Sequence, residues 1–319
     1  MSKAPLEVAG LSAAAGQRAQ GVLELEFAGA ATKLPLFLLN GAQPGPTLVV
    51  TAGIHGAEYV GIETAYRLAM RTDPAQLRGQ LIVSPISSMG AFKKRSIYLC
   101  PPDDKNLNRM FPGDPKGSFA QQLAHWIFTT LIQRADCYLD LHGGDLNEAL
   151  LPFSIVRRSG DAALDAKSLA LAQVLGLPYV VASVVKGSTY ASASASGIPA
   201  VLAEVGGQGL WPEEQVQQMG AAVQRALLHL GLSDAPVPAA PSKPVLLEEM
   251  IWMRSEHDGL FYPSVKVGDA VKAGQPMGHV SDYLGRQVQA LQAPADGAIL
   301  FLVTTLAMNQ GDPLLAVGR

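Results

Sequence analysis

Four short, largely apolar runs constrain this chain more than any other feature: Thr47–Thr51, Leu81–Pro85, Ala135–Leu141 and Ala200–Val205. Their apolar residues follow one another instead of alternating with polar ones, which suits strands buried on both faces of a sheet. Further strand candidates are Val22–Phe27, Leu34–Leu39, Phe153–Val156 and Tyr179–Val185. Stretches with helical spacing lie between or after them, at Glu58–Met70, Ser118–Arg134, Ala162–Leu175 and Pro212–Leu230. This alternation predicts an α/β fold, with a mostly parallel sheet covered by helices on both faces. Residues 90–116 are rich in Pro, Asp, Asn and Gly and show little periodicity. So long a polar segment inside a compact domain is more often functional than idle.

Ser233–Lys243 reads SDAPVPAAPSK, a Pro- and Ala-rich linker. Beyond it the texture changes to short strands and many glycines. Two domains are therefore expected, a large α/β domain over 1–240 and a small β domain over 245–319. Hydrophobic residues make up 48% of the 319 and charged residues 16%, a composition that builds cores. The net charge of −3 argues against a nucleic-acid partner, which calls for a basic patch. No apolar run approaches the ~20 residues of a membrane span, and the N-terminal stretch lacks a signal-type apolar segment. The two cysteines, Cys100 and Cys137, are too few for a disulfide framework or a thiolate metal site. A soluble cytoplasmic protein with reduced thiols and no membrane partner is the expectation.

Candidate metal ligands stand at strand ends. Thr51–Gly61 reads TAGIHGAEYVG, placing His55 and Glu58 three apart at a strand-to-helix turn, where both side chains can point to one side. Cys137–Gly144 reads CYLDLHGG, so His142 also ends an apolar strand. In open α/β sheets that carboxyl edge is where ligands bind. Two His and one Glu form a set that suits a catalytic zinc with one position open for water. Taken singly, His55 and His142 also fit capping or core roles. His125, His229, His257 and His279 read as structural or surface residues. Glu204 ends a further apolar strand just before Gly206 and Gly207, at the same sheet edge. There it can act as general base and acid, or else as a fourth ligand or a helix cap. Arg109 can pair with a substrate carboxylate in bidentate fashion beside Asn108, or simply order its loop. Asp140, two residues before His142, can face the same side of its strand and support that ligand.

In order, the segments TAGIHGAE, NLNRMFPG, DLHGG and LAEVGGQG resemble the succinylglutamate desuccinylase/aspartoacylase family, relatives of the zinc carboxypeptidases. The resemblance covers roughly residues 20–230. It implies a carboxypeptidase-like domain around a mixed sheet, one zinc ion (Zn2+) per chain on His55, Glu58 and His142, and Glu204 as general base and acid. It also implies that Asn108 and Arg109 hold a substrate carboxylate and that Arg95 stabilises an oxyanion. The implied activity is hydrolysis of a linear amide in an N-acyl amino acid or related small-molecule N-acyl substrate. A metallocarboxypeptidase acting on short peptides would use the same machinery, and a catalytically silent metal-binding interaction protein would keep the ligands alone. Assembly into homo-oligomers is left open by the sequence.

The last 75 or so residues resemble a biotinyl/lipoyl-type barrel in their Gly-Asp turns. Those carriers present a lysine on a hairpin, yet SDYLGRQVQALQAP at 281–294 contains none. A role in shaping the active-site entrance or in subunit contacts is therefore expected in place of a carrier role.

Overall fold

A computed structural model describes residues 3–319. Nine strands form the main sheet. In chain order they are β1 (Gln17–Phe27), β2 (Ala30–Asn40), β3 (Gln43–Ala52), β4 (Arg78–Ser84), β5 (Cys137–His142), β6 (Phe153–Arg157), β7 (Tyr179–Ser183), β8 (Ala200–Glu204) and β9 (Val245–Leu247). Their spatial order is β9-β7-β6-β8-β5-β3-β4-β2-β1. Six helices accompany them: α1 (Tyr59–Arg71), α2 (Met89–Lys94), α3 (Phe119–Thr130), α4 (Ala162–Leu175), α5 (Thr189–Ala195) and α6 (Glu213–His229). None is long and apolar enough to cross a membrane.

The centre of the sheet, β4-β3-β5-β8, is parallel, as the apolar runs predict. The flanks are not. The hairpin β1–β2 runs antiparallel and turns through Ala28 and Gly29, both at positive φ. Strand β6 is antiparallel to β8. Only residues 143–152 separate β5 from β6, too few for the crossover helix that a parallel return requires. The chain stays at the carboxyl edge and re-enters the sheet in the opposite direction.

Both faces of the sheet are covered. Leu48, Val50, Leu139, Leu141, Val201 and Ala203 pack with α1, α4 and α6. Val49, Tyr138, Ala200 and Leu202 pack with α3 and α5. Side chains alternate along each strand, so Thr51, Asp140, His142 and Glu204 all lie on the α3/α5 face. In the β5–β8 register, His142 stands beside Glu204.

After the linker, Val245–Leu247 adds to the main sheet beside β7. The chain then forms two small sheets whose inner faces share Phe261, Met277, Val280, Ile299, Phe301, Leu315 and Val317. One of them contains a strand from far earlier in the chain: Glu148–Leu150 pairs with Gly297–Val303. No residue of 245–319 is helical.

Candidate active site

Strand β3 ends at Ala52, and the turn to α1 carries His55 and Glu58. Gly53 sits at φ +61°, a conformation that favours glycine. Gly56 lies so close to α2 that a methyl group there would be 2.1 Å from the Phe92 nitrogen. Glu58 occupies the N-cap position of α1 but makes no capping bond with its side chain. Its carboxylate is used elsewhere: Oε1 lies 2.7 Å from His55 Nδ1 and Oε2 lies 2.7 Å from His142 Nδ1. Oε2 also accepts from the Gly143 N–H at 3.3 Å. All three side chains are buried, and one ligand atom from each lies within 4.8 Å of the others.

The other nitrogen of each imidazole is held from outside. His142 Nε2 lies 2.9 Å from Asp140 Oδ2. An ionised carboxylate only accepts, so Nε2 carries the hydrogen. Asp140 is itself fixed by hydroxyl donors, Thr51 to Oδ1 at 2.6 Å and Thr189 to Oδ2 at 2.5 Å. The Tyr138 hydroxyl in turn contacts Thr51 Oγ1. His55 Nε2 lies 3.1 Å from Asn106 Oδ1, which also accepts from the Asn108 N–H. That second bond sets the Asn106 amide, so His55 Nε2 donates as well. Both Nδ1 lone pairs therefore face the Glu58 carboxylate. Three electron-rich groups converging in this way need a positive charge between them, and two imidazoles with a carboxylate suit a divalent ion. Burial works against ionised Glu58, but positive charge on His142 and His55 when both are protonated outweighs it and brings its pKa down to about 2; a metal ion would take the place of those protons. The donor set fits a metal.

Glu204 Oε2 is buried without a hydrogen-bond partner among the described residues. Burial pushes the Glu204 carboxyl well above the usual range, as do the charges of Glu58, Glu148 and Asp140, while His142 opposes the shift. Two further acids close the site. Asp145 accepts from the Leu146 N–H at 2.8 Å and the Tyr98 N–H at 3.0 Å. Glu148 Oε2 accepts from the Asp145 N–H at 2.8 Å, whereas Oε1 is buried and unpartnered. Burial lifts the Glu148 carboxyl to about 8. The Tyr98 ring meets His55 edge to face, with centroids 5.6 Å apart.

The remaining expected residues differ in burial and in their partners. Asn108 is buried and its Oδ1 accepts from the Thr189 N–H at 3.0 Å. Arg109 is exposed and donates to the Asn108 carbonyl at 2.8 Å. Arg95 ends α2 in the left-handed conformation, is exposed, and has no side-chain partner among the described residues. His125, His229, His257 and His279 belong to no metal-capable group among the described residues.

The family model of the succinylglutamate desuccinylase/aspartoacylase catalytic domain matches residues 44–230, which span both ligand turns and Glu204. The chain belongs to this family. It is 28% identical over 303 residues to the N-alpha-acetyl-L-2,4-diaminobutyric acid deacetylase of Halomonas elongata, covering 92% of this chain and 88% of that protein. Among solved structures, it is similar to the succinylglutamate desuccinylase/aspartoacylase of Rhodobacter sphaeroides (TM-score 0.84, 26% identity, 95% of each chain). It is also similar to the product-bound ectoine utilization protein EutE (DoeB) of Ruegeria pomeroyi (TM-score 0.85, 26% identity, 94% of this chain and 95% of that one). These likenesses extend over the C-terminal β region, so the family architecture here includes it.

Against that family background, several site residues have no reading from sequence alone. Asn106 lies inside the NLNR motif but acts on His55, a contact no spacing announces. Thr51 and Thr189 read as ordinary strand and loop residues. Asp145 and Glu148 lie in a stretch without periodicity, and their only local signal is the pair of glycines before them.

Proposed function

We propose that this deacylase-family chain hydrolyses the amide bond of an N-acylated amino acid, with zinc held by His55, Glu58 and His142 and with Glu204 as base and acid. The observation that carries the reading is Glu204: a carboxyl beside ligand His142, with one oxygen buried and unpartnered. Pure metal storage has no use for such a group. A bound zinc ion supplies Lewis acidity, bringing the pKa of water toward about 7 and polarising an amide carbonyl.

The chain's own groups do the rest. Glu204 Oε2 accepts the proton of the attacking water and then delivers it to the departing nitrogen. Asp140 and Asn106 fix the tautomers of His142 and His55, so each presents Nδ1. Asn108, anchored by Thr189, and the exposed Arg109 take a carboxylate of the substrate. Arg95, free at the end of α2, is assigned to the oxyanion. An N-acetyl amino acid is the substrate class favoured by the likeness to the Halomonas deacetylase.

The test uses the Glu204→Gln variant. It retains bound zinc by elemental analysis, while turnover of N-acetyl and N-succinyl amino acids falls by about 10²–10⁴-fold. Wild-type turnover of dipeptides but not of N-acyl amino acids would replace this reading with that of a peptidase. Zinc binding without hydrolysis of either would remove the enzyme reading.

A further inference from the structure

Residues 95–104 carry unusual backbone strain. Six non-glycine residues have positive φ among the described residues, and three of them, Arg95, Tyr98 and Asp104, fall in this segment. Such strain persists only where surrounding contacts hold it, and it gathers at functional sites. The contacts here are specific. The Leu99 N–H donates to the Ile97 carbonyl at 2.7 Å, closing a tight turn around Tyr98, and the Ser96 hydroxyl donates to the Leu99 carbonyl at 2.8 Å. Leu99 and Cys100 then pair with Asn106 and Lys105 as a two-stranded ribbon. Asp103, at the turn of that ribbon, accepts from the Ala120 N–H of α3 at 2.9 Å, which anchors the ribbon on the fold.

The two ends of this hairpin meet one side chain, the candidate ligand His55. Asn106 Oδ1 lies 3.1 Å from its Nε2, and the half-buried Tyr98 ring stands 5.6 Å from the imidazole, centroid to centroid, at 76° to its plane. The Tyr98 backbone is committed as well, since its N–H donates to Asp145 Oδ2 at 3.0 Å. With φ at +58°, Tyr98 holds a conformation in which glycine would be unstrained. The hydrogen bonds at Nδ1 and Nε2 act in the plane of the imidazole and resist tilting of that plane only weakly. An aromatic ring set nearly at right angles fills the space into which it would tilt.

We infer that Tyr98 is a positioning residue for His55, and that residues 98–106 form a clamp gripping this imidazole at two points, its ring by Tyr98 and its Nε2 by Asn106. The inference rests on the metal reading above and deepens it. A ligand held in place before the ion arrives gives up less freedom on binding, so the clamp strengthens metal binding. The Tyr98 hydroxyl is not needed for this role.

The test compares zinc affinity of the full chain, read by competition with a chelator, in wild type, Tyr98→Phe, Tyr98→Ala and Tyr98→Gly. All keep the N–H that meets Asp145. Phe should bind zinc within about two-fold of wild type, and Ala and Gly at least about ten-fold more weakly. Metal-free stability should split from affinity. Gly relieves the strain that Ala retains, so its denaturant midpoint should exceed that of Ala while its zinc affinity stays as low. Zinc affinity that recovers toward wild type in the Gly variant, or weak binding by the Phe variant, would overturn the inference. If the Ala variant does not fold, Gly against Phe still reads the ring. Asn106→Ala combined with Tyr98→Gly tests the shared grip: the joint loss should differ from the product of the single losses by at least about three-fold. Simple multiplication would mean separate action and overturn the clamp. A wild type that binds zinc without turnover would remove the deacylase reading and leave these comparisons standing; one that binds no zinc would overturn both.

Discussion

His142 Nε2 is bonded to Asp140 Oδ2 at 2.9 Å, and this one contact decides which nitrogen of His142 faces Glu58. Asp140→Asn keeps the shape of the acceptor but weakens the preference for the Nε2–H tautomer. The expected result is about a 10–100-fold loss of zinc affinity, measured by competition with a chelator. Asn106→Ala, which removes the uncharged acceptor on His55, should cost less in the same assay. If Asp140→Asn binds zinc as wild type does, the tautomer argument is wrong.

Gly56 lies between ligands His55 and Glu58, against the backbone of α2. Gly56→Ala would put a methyl 2.1 Å from the Phe92 nitrogen and 2.3 Å from the Ala91 carbonyl carbon. Backbone atoms cannot rotate away as a side chain can. The variant should lose about 1–3 kcal/mol in denaturant unfolding and bind zinc more weakly. Gly10→Ala serves as a comparison: a methyl there meets no atom within 4 Å, so that variant carries only the cost of its positive φ.

Glu148 gives a pH signature. Burial lifts its folded-state pKa to about 8, above the ordinary value of 4.5 that an unfolded chain would have. Between these limits the folded state holds the proton that the unfolded state releases. Stability from this group therefore falls as pH rises from about 4.5 to about 8, by at most about 1.4 kcal/mol per pH unit. Glu148→Gln has no such proton. In denaturant melts at fixed zinc, its stability relative to wild type should climb through that window and level off above it. The nearby charge of Glu58 makes the window broad; parallel curves would rule the effect out.

The two thiols should be silent. Cys100 and Cys137 are buried, and burial pushes them up to about 11 and about 12. Thiolate is the reactive form. At pH 8 a thiol reagent should label neither in the folded protein and both once the chain is unfolded. Rapid labelling of the native protein would contradict their placement.

Much of this site was legible because strand ends announce themselves. An apolar run that stops at a polar residue followed by glycine marks the carboxyl edge, which gave His55, His142 and Glu204. Period two along β5 put Asp140 on the face of His142. What escaped notice depends on contacts distant in sequence. Helix α5 (TYASASA) has no apolar periodicity, because its small residues lie flat on the sheet. Asn106 reaches His55 from 51 residues away. Glu148 is buried because Val303 pairs beside it, a partner no local pattern reveals. The expected mostly parallel sheet became mixed because residues 143–152 are too few to cross over. Arg95, expected to stabilise the oxyanion, is exposed at the end of α2.

The catalytic sheet and the C-terminal sheet each lend the other a strand: Val245–Leu247 lies beside β7, and Glu148–Leu150 lies beside Gly297–Val303. The two parts are clasped together, and neither can be cut away cleanly. Truncation after residue 244 would strip the outer edge from β7 and leave Glu148–Leu150 without a mate, loosening the segment that carries Asp145 and Glu148. A substrate-selectivity change in such a truncated protein would report a slackened pocket wall, even if the missing residues never touch a substrate. The C-terminal region thus braces the segment that carries Asp145 and Glu148.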